Sequence, residues 1–320
     1  MKSILVVLLL SIVSSIFADY NSHRVDSHAP ITVMGDHTHK KGDVMLSYRY
    51  MSMRMAGASV KGNSQSISEL LNDYNMAPVS MSMDMHMFGA MYGLSERITV
   101  MGMLPVVSKE MLLQKQDTSE LRRESDGISD VSLSALYSLR NTHDSRLHLQ
   151  LGASLPVGSI SDKDGSSKRL AYPMQLGSGT VDVLLGATFV KQLSDSSYGS
   201  QFSSTLRSGK NKHDYRLGNR YQLQAWYAKL LSEKLSGSVK VDYSIWDAIS
   251  GADSDLNPAM MPGAESNRSG NSLLLSFGMN LQVSAVNRVA FEVSRPLSQY
   301  SDIPMLDTDW SATFGIQRNL

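Results

Sequence analysis

About twelve stretches of this chain alternate apolar and polar side chains, and the links between them alternate long and short. Few folds satisfy both rules. Successive side chains of a β-strand point to opposite faces, so alternation means a strand with one apolar and one polar face. The stretches fall near 43–55, 79–93, 96–107, 129–140, 146–157, 179–192, 198–207, 219–231, 234–246, 271–283, 288–296 and 309–320. In SDVSLSALYSLR, Val131, Leu133, Ala135, Tyr137 and Leu139 oppose Ser132, Ser134, Ser138 and Arg140. Most stretches run about ten to fourteen residues, longer than the usual five or six of a globular sheet and long enough to cross a bilayer at a tilt. Long links at 56–78, 108–126, 158–178, 208–218, 247–270 and 297–308 alternate with short ones at Leu94-Ser95, 141–145, 193–197, Ser232-Glu233 and 284–287. Short periplasmic turns, long external loops and an even strand count are the pattern of an outer-membrane barrel. A secreted β-sandwich also alternates, but its strands are shorter and its loops need not alternate in length.

The first residues agree with that compartment. Lys2, the apolar run Ile4 to Val13 and a small residue at Ala18 read as a secretory signal peptide over 1–18. Residues 19–42 are then a periplasmic His-containing arm, and 43–320 the barrel. The chain has no cysteine, which removes disulfides and thiolate metal sites. Its formal charge is zero, so nothing steers nucleic acid toward it. A hydrophobic fraction of 42% suits a barrel in which only alternate residues face lipid.

Ionisable residues fall mostly on the polar faces. Asp84, His86, Arg140, His148, Asp182, Lys240, Asp242, Arg288 and Glu292 are expected to line the lumen, because a cation on the lipid face at mid-bilayer costs about 2–4 kcal/mol. Tyr48, Tyr92, Tyr137, Tyr221, Tyr227, Tyr243 and Trp310 sit toward strand ends, as interfacial girdles do. The stretch MSMDMHM puts Met81, Met83, Met85 and Met87 on one face, expected to meet lipid as flexible filler. In DVMLSYRYMSMRM the polar phase shifts between Arg49 and Ser52, which predicts a bulge there.

Several hairpins are similar to those of the outer-membrane transporter-like family named after the MetA pathway of phenol degradation. FGAMYGLSERITVMGMLP, GISDVSLSALYSL with LQLGASLPVGS, LGSGTVDVLLGATFVKQ, YRLGNRYQLQAWYAKLLSEKLSGSVKVDY and TDWSATFGIQ carry the resemblance, which spans most of the chain after about residue 43. It implies an outer-membrane barrel, a transporter or channel, and no catalytic residues to carry over.

The residues favour no enzyme. There is no GxSxG, HExxH or phosphate loop, and Asp84 with His86 would need partners from other strands to make an acid–base site. The Asp- and Asn-rich link at 247–270 lacks the EF-hand spacing. The expected function is passage of a small solute through an outer-membrane channel in a Gram-negative cell, with lipid and the barrel-assembly machinery as partners and no cofactor. The alternative is a copper or other transition-metal protein. Its ligands would be His28, His37 and His39, with Met34 as a soft partner.

Overall fold

The structure, a computed structural model, describes residues 24–320; the proposed signal peptide lies outside them. Its strands are β1 (Val44–Val60), β2 (Asn63–Gln65), β3 (Met76–Gly93), β4 (Ile98–Lys115), β5 (Glu120–Ile128), β6 (Val131–Asn141), β7 (Ser145–Leu155), β8 (Asp182–Gln192), β9 (Ser196–Leu206), β10 (Tyr215–Arg216), β11 (Arg220–Ser232), β12 (Leu235–Trp246), β13 (Ser250–Gly251), β14 (Gly270–Gln282), β15 (Asn287–Ser301) and β16 (Met305–Asn319). Twelve of them pair antiparallel in the order β1, β3, β4, β6, β7, β8, β9, β11, β12, β14, β15 and β16, and β16 pairs back onto β1. The sheet is therefore a closed barrel. Among the described residues, no helix is long and apolar enough to cross a membrane. The short turns lie at one end, with Val44 and Asn319. The long links lie at the other, where β5 extends the β4 hairpin and α1 (Ile67–Asp73) carries a capping box from Ser66 to Glu69.

Alternation sets the two faces. Leu151, Leu223 and Phe277 point outward and are 62%, 53% and 60% exposed. Tyr92, Tyr137, Tyr227, Tyr243 and Trp310 are also exposed. Such an apolar exterior is stable against hydrocarbon rather than water. The residues between point inward: His148, Asp182, Lys240, Asp242, Arg288 and Glu292 are all buried inside the barrel.

The faces of β3 run opposite to the sequence expectation. The β1–β3 pairing is unbroken from Val44–Tyr92 to Ala56–Ser80, so each strand keeps one phase throughout. Arg49 donates from Nε to the Ile31 carbonyl inside the barrel at 3.0 Å, which fixes the odd-numbered side as the inner one. Methionines then stack in rows across the inner wall. Met45, Met91 and Met101 form one row, Met51 pairs Met85, Met53 pairs Met83, and Met55, Met81 and Met111 form another. Met87 and Met103 complete the set. The methionines of MSMDMHM thus face the lumen, and Asp84 and His86 face outward.

Their charge is tolerated because it sits near the outer rim within a hydrogen-bonded girdle. Tyr50 donates to Asp84 at 2.9 Å, Arg54 lies 3.7 Å from the same carboxylate, and Tyr48 bonds His86 at 2.8 Å. No bulge falls between Arg49 and Ser52; the register shifts against β16 lie at Arg54/Met55 and Met55/Ala58. Arg140 is a further correction. A shift between Ser138 and Arg140 turns it outward beside Leu147, where it is exposed at the turn end.

A single cysteine at Met85 should react with a small water-soluble thiol reagent in the folded barrel, and one at Phe88 should be shielded by lipid or detergent. The native chain has no competing thiol. The opposite labelling pattern would place the methionines on lipid.

Candidate functional site

Residues 24–42 do not form an arm outside the barrel. They fold up inside it as a plug at the turn end. The entry point is Arg24, whose Nη1 donates to the Leu193 carbonyl at 2.7 Å in the β8–β9 turn and which pairs with Asp26. Ser197 bonds the Asp26 carbonyl. Ala29 and Val33 pack on Val190 and Trp226. Gly35 takes a left-handed turn, φ 61°, with Leu136 about 3.5 Å from where a Cβ would stand. That inner-face Leu136, the one apolar break in the polar face of β6, is where the plug rests.

Polar contacts tie the plug to nearly every wall. Lys240 and Glu292 form an ion pair at 2.8 Å, and Thr32 bridges them: its amide donates to Glu292 at 3.1 Å and its hydroxyl bonds both side chains. His148 Nε2 bonds the Gly35 carbonyl at 2.8 Å. Gln201 donates to the Met34 carbonyl at 2.8 Å, Asn280 to the His28 carbonyl at 3.3 Å, and Thr99 receives the His39 amide at 2.8 Å. Arg288 sits beside Asn280 and Gln317.

At the other end the long loops fold over the mouth. Lys109 donates to the carbonyls of Pro173 and Gln175 at 2.9 and 2.7 Å. Arg169 reaches Asp253, Asp255 and His213, and Met174 packs with Met81, Met111 and Met261. Between this lid and the plug lies a cavity of about 560 Å³. Thr32 and Met34 floor it, Tyr172 and Gln175 roof it, and Met101, Gln150, Gln201 and Gln224 wall it. Asp182 lies near its outer edge, paired with Arg207. Asp242 accepts from Gln222 and Gln224 at 2.6 and 2.7 Å.

Of the suspected metal ligands, His28 and His37 come together, joined by Asp36; their ligand atoms lie within 4.8 Å of one another. Asp36 was not singled out in the sequence, although it follows Gly35 directly and precedes His37. His39 meets His37 edge-on with ring centroids 4.9 Å apart, and Met34 lines the cavity above the plug. Burial, with Arg288 beside it, holds the His28 imidazole well below its ordinary range. Burial pushes His39 down to about 3. Burial would raise the Asp36 carboxyl, but His37 and Arg288 bring it well below the usual carboxylate range.

The sequence matches no family model and no curated protein. Among solved structures, the COG4313 outer membrane channel from Pseudomonas putida F1 superposes with a TM-score of 0.66 at 13% identity, over 90% of this chain and 99% of that one. The fold is that of an outer-membrane β-barrel. The P. putida toluene transporter TodX, at TM-score 0.45 and 7% identity over 88% of this chain and 91% of that one, and the NanC porin, at 0.43 and 8% over 84% and 100%, are more distant.

Two outcomes follow from the plug. Glu292→Ala leaves Lys240 buried without its carboxylate, and breaking such a pair costs about 3–5 kcal/mol. Residues 24–42 should then become open to protease in a barrel that still migrates as folded. Acid should act in the same direction. The docked His28 and His39 hold protons less tightly than a free imidazole, near 6.5. As pH falls through about 6.5 the released plug binds more protons than the docked one, so docking weakens. Asp36 stays charged across that window. Protease access should rise between pH 7.5 and 5, and His28→Ala/His39→Ala should flatten the response.

Proposed function

We propose that the protein is an outer-membrane channel for a small solute, closed at its periplasmic end by its own N-terminal segment. The observation that carries this reading is the cavity of about 560 Å³ held between lid and plug inside a closed barrel. A cavity of that size is within the range of small-molecule sites. One wall carries thioethers, and the facing walls carry amide and hydroxyl groups such as Gln150, Gln201, Ser203 and Gln222. A solute with one apolar and one polar side meets both. The lumenal ions Asp182, Lys240, Asp242, Arg288 and Glu292 serve to hold plug and wall in place rather than to carry out chemistry on the solute.

The hairpin resemblance supports placing the chain in the MetA-pathway family of transporter-like barrels, with insertion by the barrel-assembly machinery. The plug is the gate. It touches the walls through hydrogen bonds and a small apolar contact, so it is held by many modest interactions rather than by one strong one.

Solute-driven swelling of proteoliposomes tests the reading. The intact chain should admit small neutral solutes slowly, and a chain lacking residues 24–38 should admit them faster and with larger unitary conductance in planar bilayers. If the shortened barrel, shown folded by its heat-modifiable migration, conducts no more than bare lipid, the channel reading fails.

A further inference from the structure

We propose that the inner wall of β1, β3 and β4 binds soft monovalent cations, Cu(I) or Ag(I), through its methionine thioethers. This names a solute class for the channel proposed above and rests on that reading only for passage, not for binding. The block at its centre is Met51, Met53, Met83 and Met85, two register pairs on adjacent strands.

The placement of methionine in this chain is not that of filler. Twelve of its 20 methionines lie on the inner face of three neighbouring strands. From β6 to β15 the barrel strands hold one methionine, Met279, and it faces outward. The exterior is instead built from Leu, Val, Phe and Tyr. A wall that needed only to be apolar had those residues to hand.

The spacing suits shared ligation. Paired side chains across antiparallel strands start about 4.5–5.5 Å apart, and successive inward residues of one strand about 7 Å apart. Methionine has three rotatable side-chain bonds and a polarisable sulfur, so four such arms can converge on one ion. Thioethers select Cu(I) over the harder divalent ions, and Ag(I) has the same charge and filled d shell. The four central methionines are half-buried, facing the lumen rather than packed away in a core. The nearest cations are occupied elsewhere. Lys109, the register partner of Met83, is tied to the loop carbonyls, and Arg49 to Ile31.

A second observation lies at the plug end of the same wall. Met45, in the last methionine row, shares a small cavity with His28. His28 Nδ1 is buried without a hydrogen-bond partner, 3.9 Å from Asp36, and His39 Nε2 is likewise unpartnered. Imidazole binds copper. The thioether wall therefore ends beside a set of nitrogens that are free to accept an ion.

Silver nitrate is the probe, titrated calorimetrically into the full mature protein in chloride-free buffer, with silver-edge X-ray absorption to count sulfur neighbours. The intact protein should bind Ag(I) with sulfur in its first coordination sphere. Met51→Leu/Met53→Leu/Met83→Leu/Met85→Leu, which keeps volume and apolarity, should weaken binding by roughly tenfold or more and lower the number of sulfur neighbours. The smaller change Met53→Leu/Met83→Leu should give an intermediate loss if the fourfold variant folds poorly. His28→Ala/His39→Ala should remove a nitrogen-bound equivalent and leave the sulfur signal. Unchanged affinity in both leucine variants, or an intact protein without sulfur-bound silver, overturns the proposal. Neutral-solute swelling on the same preparations separates the two readings. Swelling without silver binding leaves the channel and removes this site; silver binding without swelling leaves the site and removes the channel.

Discussion

Everything in this molecule depends on the pairing of the last strand with the first. Inside a bilayer no water is present to satisfy an open strand edge, and each unpaired backbone group there costs several kcal/mol. The register from Met45–Asn319 to Arg54–Trp310 removes that edge. Closure also creates an inside and an outside, and alternation then assigns every strand residue to one or the other. The apolar belt, the lumen and the space for a plug are all consequences of that seam.

Charge inside the barrel is handled by pairing rather than by water. Lys240 meets Glu292, Asp182 meets Arg207, and Asp242 accepts two side-chain amides. Buried pairs of this kind add little net stability over an apolar contact, but removing one partner is costly. They act as position markers: Thr32 finds its place because a carboxylate and an ammonium ion are already held there. Lid and plug thus dock on opposite ends of one polar-lined cavity, with the methionine wall running between them.

Most of the barrel was legible in the sequence, because a period of two and a rhythm of link lengths are both written in the chain. Each of the twelve stretches corresponds to a barrel strand, displaced by up to five residues at the ends except at β4, which runs on to Lys115 and with β5 takes up most of the expected link at 108–126. The sign of a face was harder to read. Where one face is Leu and Val and the other Ser and Asp, as in β12, polarity decides. In β3 one face is methionine and the other mixes Ser82, Asp84, His86 and Phe88, and polarity points the wrong way. What decides there is Arg49, whose partner is a plug carbonyl more than a dozen residues away in sequence. The plug itself has no periodicity. Its signals were a glycine able to take a positive φ at 35 and the lone inward Leu136, and both acquire meaning only once the barrel is closed around them.

The plug is continuous with β1 through a link pinned near the barrel end, where Gly42 donates to the Gly93 carbonyl at 2.8 Å and Asp43 to that of Lys40 at 3.1 Å. A segment that leaves the lumen is therefore still leashed at its rim. Its return is a unimolecular step at an effective concentration on the order of millimolar, whatever the dilution of the protein. Opening and closing are then set by the balance of a few contacts within one chain. No second protein has to be recruited to stopper the barrel.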